Sequence, residues 1–326
     1  MQKKEKFVLQ WHITHRCNLR CKHCYQEDYT KDLELDTLIN ILNQFKKFVE
    51  ENDYRGHINF TGGEPMVALD KLEVLMNICE KSGITFGILT NGTLLTQDIV
   101  DRLSKYKNLS FIQMSLEGTR KVNDKIRGKG SFKQVMKSVK MLQKAHIQTM
   151  ISFTCHKENY KELKKLIWTC RIHKVDRFWT DRLVPIGNNT LELISTEDYR
   201  KVIKTLYKES LSKIGGLQVE TNRALQGLDY ENKCGYKCSA GRKLIALLAD
   251  GTLLPCRRLP IEIGNLKSEK LDNLMIKCKQ TMNKLEFSTE NECSKCPFKK
   301  KCNNGTRCLT YAVTGNFNAK DINCWK

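Results

Sequence analysis

The sequence predicts an α/β fold in which a partial (β/α)6 barrel is followed by a small cysteine-rich C-terminal domain. Two observations lead to this prediction. Between residue 7 and about residue 213, strand-like and helix-like segments alternate strictly, giving six β/α units. Beyond about residue 215, the regular periodicity fades and cysteines become frequent. Strict alternation is typical of a parallel sheet covered by helices. Six units are too few for a complete TIM barrel, so we expect a TIM-like barrel that is partly open.

The elements follow from hydrophobic periodicity. A mostly apolar run of strand length predicts the first strand at 7–13, and apolar residues at helical spacing from Leu35 to Val49 predict the first helix. Glycine pairs or Asn-Gly pairs end the second and third strands, at Gly62-Gly63 and Asn91-Gly92. The remaining strands are predicted at 58–60, 85–89, 109–115, 147–153 and 177–184, and the remaining helices at 72–79, 99–103, 132–142, 163–168 and 196–211.

We place a domain boundary near Gly215-Gly216, which gives a barrel domain over 1–214 and a second domain over 215–326. The second domain has few large apolar residues for its length. We therefore expect metal ligation to hold its shape. Functional residues of the barrel should gather on the loops at the carboxyl ends of the strands.

Composition limits the class of protein. The chain has no run of about 18 apolar residues, so no membrane span is expected. The apolar stretch after the first six residues is too short for a secretory signal, and we expect a cytoplasmic protein. Fifteen cysteines in a reducing compartment indicate metal or catalytic ligands rather than disulfides. Isolated cysteines such as Cys79 and Cys170 fit the alternative of small buried core residues.

The net charge of +20 is compatible with an acidic peptide partner or with nucleic acid. The lysines are spread along the chain, with one tight run at 299–301, so a solvated lysine-rich surface is the simpler explanation. Nucleic acid is accordingly not the expected partner.

The first group of cysteines has the spacing C-x3-C-x2-C and consists of Cys17, Cys21 and Cys24. It lies directly after the first strand. Three thiolates can bind three irons of a four-iron cluster, leaving the fourth iron open to another ligand. Zinc is the alternative metal, but a structural zinc site closes with four ligands, and His15 and His23 are the local candidates for the fourth.

This motif, after the first strand of a partial barrel, resembles that of the radical S-adenosylmethionine (SAM) superfamily. Further segments at strand ends resemble the family's motifs in the same order. The resemblance implies that a [4Fe-4S] cluster binds SAM and cleaves it reductively to a 5′-deoxyadenosyl radical. It also implies roles in SAM binding for Gly62, Gly63, Glu64, Asn91, Ser115, Glu117, Arg127 and Pro185. His23 departs from the aromatic carbocycle that many members carry.

The later cysteines resemble those of a SPASM domain, the C-terminal extension of many radical SAM enzymes that modify peptides. The resemblance implies two auxiliary [4Fe-4S] clusters, each with four protein ligands, and three clusters in total. A gap of five residues between Cys302 and Cys308 departs from the usual three. A zinc-ribbon-like domain with two zinc ions is the alternative. The implied ligands are Cys234, Cys238, Cys256 and Cys308 for the first cluster, and Cys293, Cys296, Cys302 and Cys324 for the second.

Two further positions bear on the chemistry. Cys155 ends the fifth predicted strand, where a thiol could donate a hydrogen atom to a substrate radical; a packed thiol is the alternative. Anaerobic sulfatase maturases carry an acid directly after the cysteine that matches Cys256, and here that residue is Arg257. This departure disfavours formylglycine formation.

We therefore predict a radical SAM oxidoreductase that abstracts hydrogen from a ribosomally made peptide, as in crosslinking or epimerisation. The alternatives are an enzyme acting on a folded protein or a small molecule, and a non-enzymatic iron–sulfur protein. The expected partners are a peptide, for which an acidic leader is one option, and an electron donor such as flavodoxin or ferredoxin. Only sixteen residues precede Cys17, so a separate protein is a candidate for leader recognition.

Overall fold

A computed structural model describes residues 4–26, 32–221, 224–229, 237–287 and 292–326. In these residues, ten strands form one sheet with the order β10-β9-β8-β1-β2-β3-β4-β5-β6-β7. Neighbouring strands from β1 to β7 pair in parallel, and β8 pairs in parallel with β1. The pairs β8–β9 and β9–β10 are antiparallel. The strands are β1 (Lys6–His12), β2 (Arg55–Thr61), β3 (Thr85–Thr90), β4 (Leu109–Ser115), β5 (Thr149–Cys155), β6 (Arg177–Arg182), β7 (Gln218–Val219), β8 (Leu244–Leu247), β9 (Thr252–Leu254) and β10 (Gly264–Asn265).

Helices connect successive strands, as expected for a partial α/β barrel. They are α1 (Leu35–Glu51), α2 (Leu69–Ser82), α3 (Gln97–Leu103), α4 (Arg120–Arg127), α5 (Ser131–Lys144), α6 (Leu163–Ile172), α7 (Thr196–Ser210), α8 (Leu271–Phe287), α9 (Lys299–Cys302) and α10 (Arg307–Thr314). All six predicted β/α units are present, which confirms the predicted fold class. The short helix α4 is an addition that the sequence pattern did not indicate.

The two faces of the sheet differ in polarity. In β1, Phe7, Leu9 and Trp11 are buried, and Phe7 packs edge-on against Phe48 of α1 with ring centroids 5.1 Å apart. The intervening Gln10 lies on the opposite face and lines a cavity. Because side chains alternate along a strand, the apolar face carries the helices and the polar face is left for a binding site.

The C-terminal part of the chain adds strands to both edges of the barrel sheet. β7 pairs with β6 at one edge, and β8 pairs with β1 at the other, with Leu9 opposite Ile245. The lysine-rich stretch around Cys278 is helix α8, whose first residue, Leu271, donates a backbone hydrogen bond to Gln44 of α1. The sheet therefore continues across the predicted boundary at 214. None of the helices in the described ranges has the length and apolar character needed to cross a bilayer.

Candidate functional site

The loop after β1 carries the first three cysteines and is fixed at its start by Asp32. Thr14 donates its hydroxyl proton to one Asp32 carboxylate oxygen at 2.8 Å, and the backbone N–H of His15 donates to the other at 2.7 Å. The Arg16 guanidinium also bonds to Asp32 at 3.0 Å. Asp32 is a positioning residue that no sequence motif indicated. Only the folded structure shows that the chain comes back to this loop at Asp32.

Gly62 and Gly63 allow the end of β2 to approach the backbone of the cysteine loop. A Cβ atom on Gly62 would lie 2.5 Å from the Thr14 carbonyl oxygen, and one on Gly63 would lie 2.4 Å from that of Arg16. The Gly63 N–H donates to the Thr14 carbonyl at 2.8 Å. Both glycines line the cavity as well. At both positions the chain's own backbone leaves no room for a Cβ atom. A close approach of SAM would be a second reason for glycine.

Glu64 is fully buried and does not line the cavity. Its carboxylate accepts hydrogen bonds from the Thr90 hydroxyl at 2.6 Å, the Asn91 N–H at 2.6 Å and the Met66 N–H at 3.1 Å. Burial raises its pKa, although these hydrogen bonds act in the opposite direction. In this structure Glu64 fixes the turn that carries Asn91.

Asn91 connects the end of β3 to the cysteine loop. Its side-chain amide donates to the Asn18 oxygen at 2.8 Å and lies 3.9 Å from the Cys17 sulfur. Its own side-chain oxygen accepts from the N–H of Thr93 at 2.9 Å. Hydrogen bonds therefore hold both the nitrogen and the oxygen of the Asn91 side chain. Asn91 lines the cavity beside the thiols.

A buried ion pair joins the loop after β4 to the end of α4. Arg127 donates to one carboxylate oxygen of Glu117 at 2.5 and 3.0 Å, and the other oxygen accepts from the Thr154 N–H at 2.9 Å. Burial alone would raise the pKa of Glu117, but the charge of Arg127 and hydrogen bonds from His23 and Arg127 outweigh it and lower the pKa to about 2. Glu117 is thus a buried carboxylate that holds Arg127.

Arg127 faces the cavity from this pair. Its guanidinium lies 3.8 Å from the Cys21 sulfur and 3.3 Å from the Nε2 atom of His23. Ser115 also lines the cavity and shares a 3.1 Å hydroxyl contact with Ser152. Pro185 does not line it, although its neighbours Val184 and Ile186 do.

One cavity of about 420 Å³ collects these groups, a volume that suits a small-molecule ligand. Sequence reasoning missed several of its lining residues. Polar side chains in the middle of predicted strands were the available signal, because such residues must face away from the apolar side. These residues are Gln10, Asn59, Gln113 and Ser152, and the aromatic Trp179, which donates its ring N–H to Gln113, lines the cavity with them.

Cys155 lies elsewhere. It is 1% exposed and belongs to the hydrophobic core, whereas the preceding Thr154 lines the cavity. Burial raises the pKa of its thiol. The expectation that this side chain reaches the active-site mouth is therefore corrected, because strand alternation directs it away from the cavity.

Three arginines form another part of the cavity wall. Arg258 pairs with Asp181, and Arg182 pairs with Asp321 at 2.6 Å. Arg257 forms no ion pair with any carboxylate among the described residues. Its guanidinium stacks 4.2 Å from the ring centre of Tyr25 and donates to that residue's carbonyl at 2.7 Å. The Nε atom of Arg257 is buried without a hydrogen-bond partner in the described part of the chain.

Electrostatic interactions link described C-terminal cysteines within each of the two implied ligand sets. The Cys308 thiol interacts electrostatically with Cys256 and Cys238, and burial raises its pKa to about 12. Cys234, the fourth implied ligand of this group, lies outside the described residues. In the second group, Cys302 interacts with Cys293 and Cys324, and Cys293 interacts with Cys296. Burial raises the pKa of Cys302 to about 12.

The donors present fit iron–sulfur clusters with SAM at the first of them. Cys17, Cys21 and Cys24 line the same cavity as Arg127 and Asn91. Burial raises the pKa of Cys17 to about 11, so the thiolate needs a nearby cation, which cluster iron provides. Three thiols facing one cavity suit a cluster whose irons are bound separately. Across the described ranges, no three His, Cys, Asp or Glu side chains converge as ligands of a single metal ion.

The fold and this site define a class of iron–sulfur enzyme built on a partial α/β barrel. Residues 11–167 match the Radical SAM superfamily, and residues 238–297 match SPASM, described as an iron-sulfur cluster-binding domain. The chain therefore carries a radical SAM domain followed by a SPASM domain. Its cofactors are accordingly a SAM-binding [4Fe-4S] cluster, SAM, and auxiliary iron–sulfur clusters in the SPASM domain.

Three curated relatives fall into two functional types. Fe-coproporphyrin III synthase of Methanosarcina barkeri is 31% identical over 64% of this chain, which spans about half (52%) of that relative. The AdoMet-dependent heme synthase of the same organism is 25% identical over 97% of this chain and 95% of its own length. The subtilosin biosynthesis protein AlbA of Bacillus subtilis is 27% identical over 96% of this chain and 69% of its own length.

A solved structure shares the fold. Streptococcus suis SuiB, crystallised with its precursor peptide SuiA, aligns with a TM-score of 0.77 at 19% identity. The alignment covers 99% of this chain and 76% of SuiB. The likeness extends through both the barrel and the C-terminal part, which confirms the architecture.

Proposed function

We propose that this enzyme cleaves SAM reductively and removes a hydrogen atom from a ribosomally made peptide. The observation that carries the first part is the shared cavity, where three thiols, Arg127 and Asn91 meet. When bound, the cluster and SAM supply the radical chemistry. The chain's own residues bind, orient and shield the reactants.

Several of the predicted site residues have a specific part in this proposal. Cys17, Cys21 and Cys24 bind three irons of the cluster and leave one for SAM. Asn91 and Ser115 offer polar contacts to SAM, and the Arg127 guanidinium attracts its carboxylate. These roles fit residues that line the cavity.

Glu64 and Glu117 act through neighbours in this proposal. Glu64 holds the backbone of Asn91, and Glu117 holds the guanidinium of Arg127. Both carboxylates are fully buried, so their hydrogen bonds are made within the protein. Pre-set positions of this kind reduce the reorganisation needed when SAM binds.

A peptide substrate is supported by the relative AlbA, which biosynthesises a bacteriocin and matches 96% of this chain. The cavity wall agrees with an acidic segment, because Arg257 has no carboxylate partner among the described residues. A partly buried guanidinium without a carboxylate partner can form a charge-assisted hydrogen bond with a ligand carboxylate.

A haem precursor is the second candidate substrate. The alignment with the heme synthase relative covers 95% of that enzyme. A porphyrin would also bring carboxylates to Arg257. Modification of a folded protein is less favoured, because Arg257 replaces the acid of the sulfatase maturases.

Anaerobic reconstitution separates these alternatives. With SAM and dithionite, the enzyme should release 5′-deoxyadenosine, and replacing Cys17, Cys21 and Cys24 by Ala should abolish the release. Mass spectrometry of a short peptide encoded beside this chain, after coexpression, should show a mass change with wild-type enzyme only. Conversion of iron-coproporphyrin instead, with the peptide unaltered, would establish the second candidate. No 5′-deoxyadenosine from protein with intact clusters would contradict the proposal.

A further inference from the structure

The ends of helices α6 and α7 carry four exposed apolar residues. Among the residues that the structure describes, six large apolar ones are substantially exposed, and these are four of the six. Trp168 and Ile172 lie one turn apart on the outer face of α6, while Leu211 and Ile214 lie just after the end of α7. The four residues are between 52% and 65% exposed. We name them the apolar corner.

A buried ion pair holds the two helix ends together. Arg171, directly before Ile172, pairs with the Glu209 carboxylate and donates to the Glu209 carbonyl oxygen at 3.0 Å. Gly215, directly after Ile214, packs so closely that a Cβ atom on it would lie 3.0 Å from the Arg171 carbonyl oxygen. Because the chain neighbours of Ile172 and Ile214 are in contact, the exposed residues of the two helix ends form one surface.

Four lysines border the apolar corner. Each lies within four positions of one of its residues in the sequence, and all four are exposed. None of them forms an ion pair within the described ranges. The three acids that lie equally close to these lysines in the sequence have partners in the protein: Glu162, Asp176 and Glu209. The surface around the apolar corner is therefore positive. We name these lysines the lysine rim: Lys164, Lys174, Lys208 and Lys213.

The apolar corner lies near the amino ends of the strands, opposite the loops that carry the cysteines. Helix α6 leads from the end of β5 back to the start of β6, so Ile172 lies near the amino end of β6. After α7, the chain returns to the same end, because Gln218 pairs with Arg177, the first residue of β6. No residue of α6 or α7, both of which the structure describes throughout, lines the cavity. Contact at the apolar corner therefore leaves the cavity accessible.

We propose that the apolar corner and the lysine rim dock this enzyme on the surface of an anionic lipid bilayer. Aromatic and aliphatic side chains enter the boundary between headgroups and acyl chains, and lysines attract anionic headgroups. The net charge of +20 adds attraction over a longer range. Docking of this kind uses one exposed face of the protein and needs no spanning helix.

A second copy of the chain fits this surface less well. In a twofold contact the same surface of each copy meets the other. The lysine rims of two copies would then face each other, and like charges disfavour such a contact. An anionic bilayer complements both the apolar residues and the charge around them.

Vesicle sedimentation with the holoenzyme tests the proposal. Wild type should bind vesicles that contain phosphatidylglycerol at least about tenfold more tightly than vesicles of phosphatidylcholine alone, and added salt should weaken this binding. The variant Ile172→Ser/Leu211→Ser removes apolar surface and should bind about tenfold more weakly than wild type. Its matched control, Ile276→Ser/Val313→Ser, changes the other two exposed apolar residues and should bind as wild type does.

A second pair of variants tests the lysine rim. Lys208→Gln/Lys213→Gln should weaken binding to the phosphatidylglycerol vesicles by about tenfold, because two attractions to anionic headgroups are lost. Lys133→Gln/Lys137→Gln removes the same net charge from exposed positions of α5 and should change binding little. The comparison separates local contact from the general attraction of a basic protein.

Tryptophan fluorescence locates the contact. Lipids brominated in their acyl chains should quench part of the emission when wild type binds, since Trp168 is 52% exposed at the apolar corner. In Trp168→Phe this quenching should be lost while vesicle binding is largely kept. Unchanged quenching in Trp168→Phe would place the bilayer contact elsewhere and overturn the proposal.

The remaining outcomes are equally decisive. No vesicle binding by wild type, or equal binding by Ile172→Ser/Leu211→Ser, would overturn the proposal. A wild-type dimer that this variant dissociates, without vesicle binding, would assign the surface to a second copy instead. Tighter binding of soluble polyglutamate than of vesicles, lost in Lys208→Gln/Lys213→Gln, would assign it to an acidic protein segment. Either assignment would replace the bilayer.

The proposal stands apart from the chemistry in the cavity. Circular dichroism and iron content check that each variant is folded, and Ala replaces Ser in any that is not. With dithionite, every variant should form 5′-deoxyadenosine as wild type does. Failure of that reaction in all proteins would contradict the proposed function, while the vesicle measurements would still decide whether the apolar corner binds a bilayer.

Discussion

At the scale of single residues, the site is supported by buried carboxylates that do not face the cavity. Glu117 is completely buried, yet its pKa is about 2 because Arg127 and His23 outweigh the effect of burial. Glu64 is also buried, and burial raises its pKa. One carboxylate is therefore paired with a cation, and the other is held by neutral donors.

The pair of Glu117 and Arg127 gives the first prediction. The folded-state pKa lies below the ordinary value of 4.5, so the stabilisation is present above about pH 4.5 and is lost as the pH falls toward 2. Glu117→Gln should lower the unfolding free energy of the metal-free protein by about 3 kcal/mol at pH 7. Urea unfolding at pH 7, 4 and 3 should show this difference shrinking with acidity.

The control for this prediction is Glu158→Gln. Glu158 pairs with Lys125, which lies on α4 as Arg127 does, but the side chains of Glu158 and Lys125 are both substantially exposed. Its removal should change stability much less than removal of Glu117. A difference between wild type and Glu117→Gln that stays constant from pH 7 to pH 3 would contradict the assigned ion pair.

Arg257 gives the second prediction, which concerns substrate charge. Arg257→Glu should reduce modification of an acidic peptide by at least about tenfold, equivalent to about 1.4 kcal/mol. A peptide in which the acidic residue nearest the modified position is replaced by Lys should recover part of the lost rate with this variant. Mass spectrometry of the product measures both effects. Unchanged modification of the acidic peptide by Arg257→Glu would exclude the proposed contact.

At the scale of elements, the strand ends were predictable and their mutual contacts were not. The glycine pair after β2 and Asn91 after β3 stand in local motifs that the sequence displays. The contact of Asp32 depends on how the chain returns to the cysteine loop, whereas the core position of Cys155 follows from the alternation of side chains along β5. The pairing of β8 with β1 joins residues more than two hundred positions apart, and no local pattern records such a pairing.

Gly63 gives the third prediction. In Gly63→Ala the new methyl group would overlap the carbonyl oxygens of His15 and Arg16, at 2.5 and 2.4 Å. The cysteine loop must then shift, so we expect weaker binding of the N-terminal cluster and loss of SAM binding. Iron analysis and the change in the cluster's electron paramagnetic resonance on SAM addition measure these effects.

Gly56→Ala is the control, in the β2 strand that precedes Gly63. Its added methyl would lie 3.2 Å from a Val49 side-chain carbon, which can adjust more easily than backbone. This variant should keep the cluster signal and its response to SAM. A normal response in Gly63→Ala would show that the loop tolerates displacement.

At the scale of the whole molecule, Arg182 joins the barrel to the C-terminal segment. It donates to Asp321 at 2.6 Å, to Asn323 at 2.7 Å and to Thr306 at 2.7 Å, and its guanidinium stacks 4.3 Å from the ring centre of Tyr199. The three residues that accept these hydrogen bonds lie more than 120 positions from Arg182 in the sequence. This network became apparent only in the structure, because no local sequence pattern connects Arg182 with these partners.

Asp321→Asn gives the fourth prediction. Breaking this fully buried pair should cost about 3–5 kcal/mol, because the Arg182 charge is left uncompensated. The expected result is a lower unfolding midpoint in thermal or urea denaturation. The control is Asp198→Asn, which removes the charge partner of Lys201 on α7. It should lower the unfolding midpoint much less. Equal stability of the two variants would contradict a central role for the Arg182 network.

The addition of strands to both edges of the barrel sheet has a practical consequence for protein engineering. A shortened chain ending at residue 214 would lose β7 from one edge and β8 from the other. Two rows of backbone donors and acceptors would then face solvent, and such rows recruit strands from other molecules. Exchange of the C-terminal half between related enzymes would therefore need to preserve the register of Leu9 with Ile245. Hybrids that ignore this pairing should precipitate rather than acquire a new substrate preference.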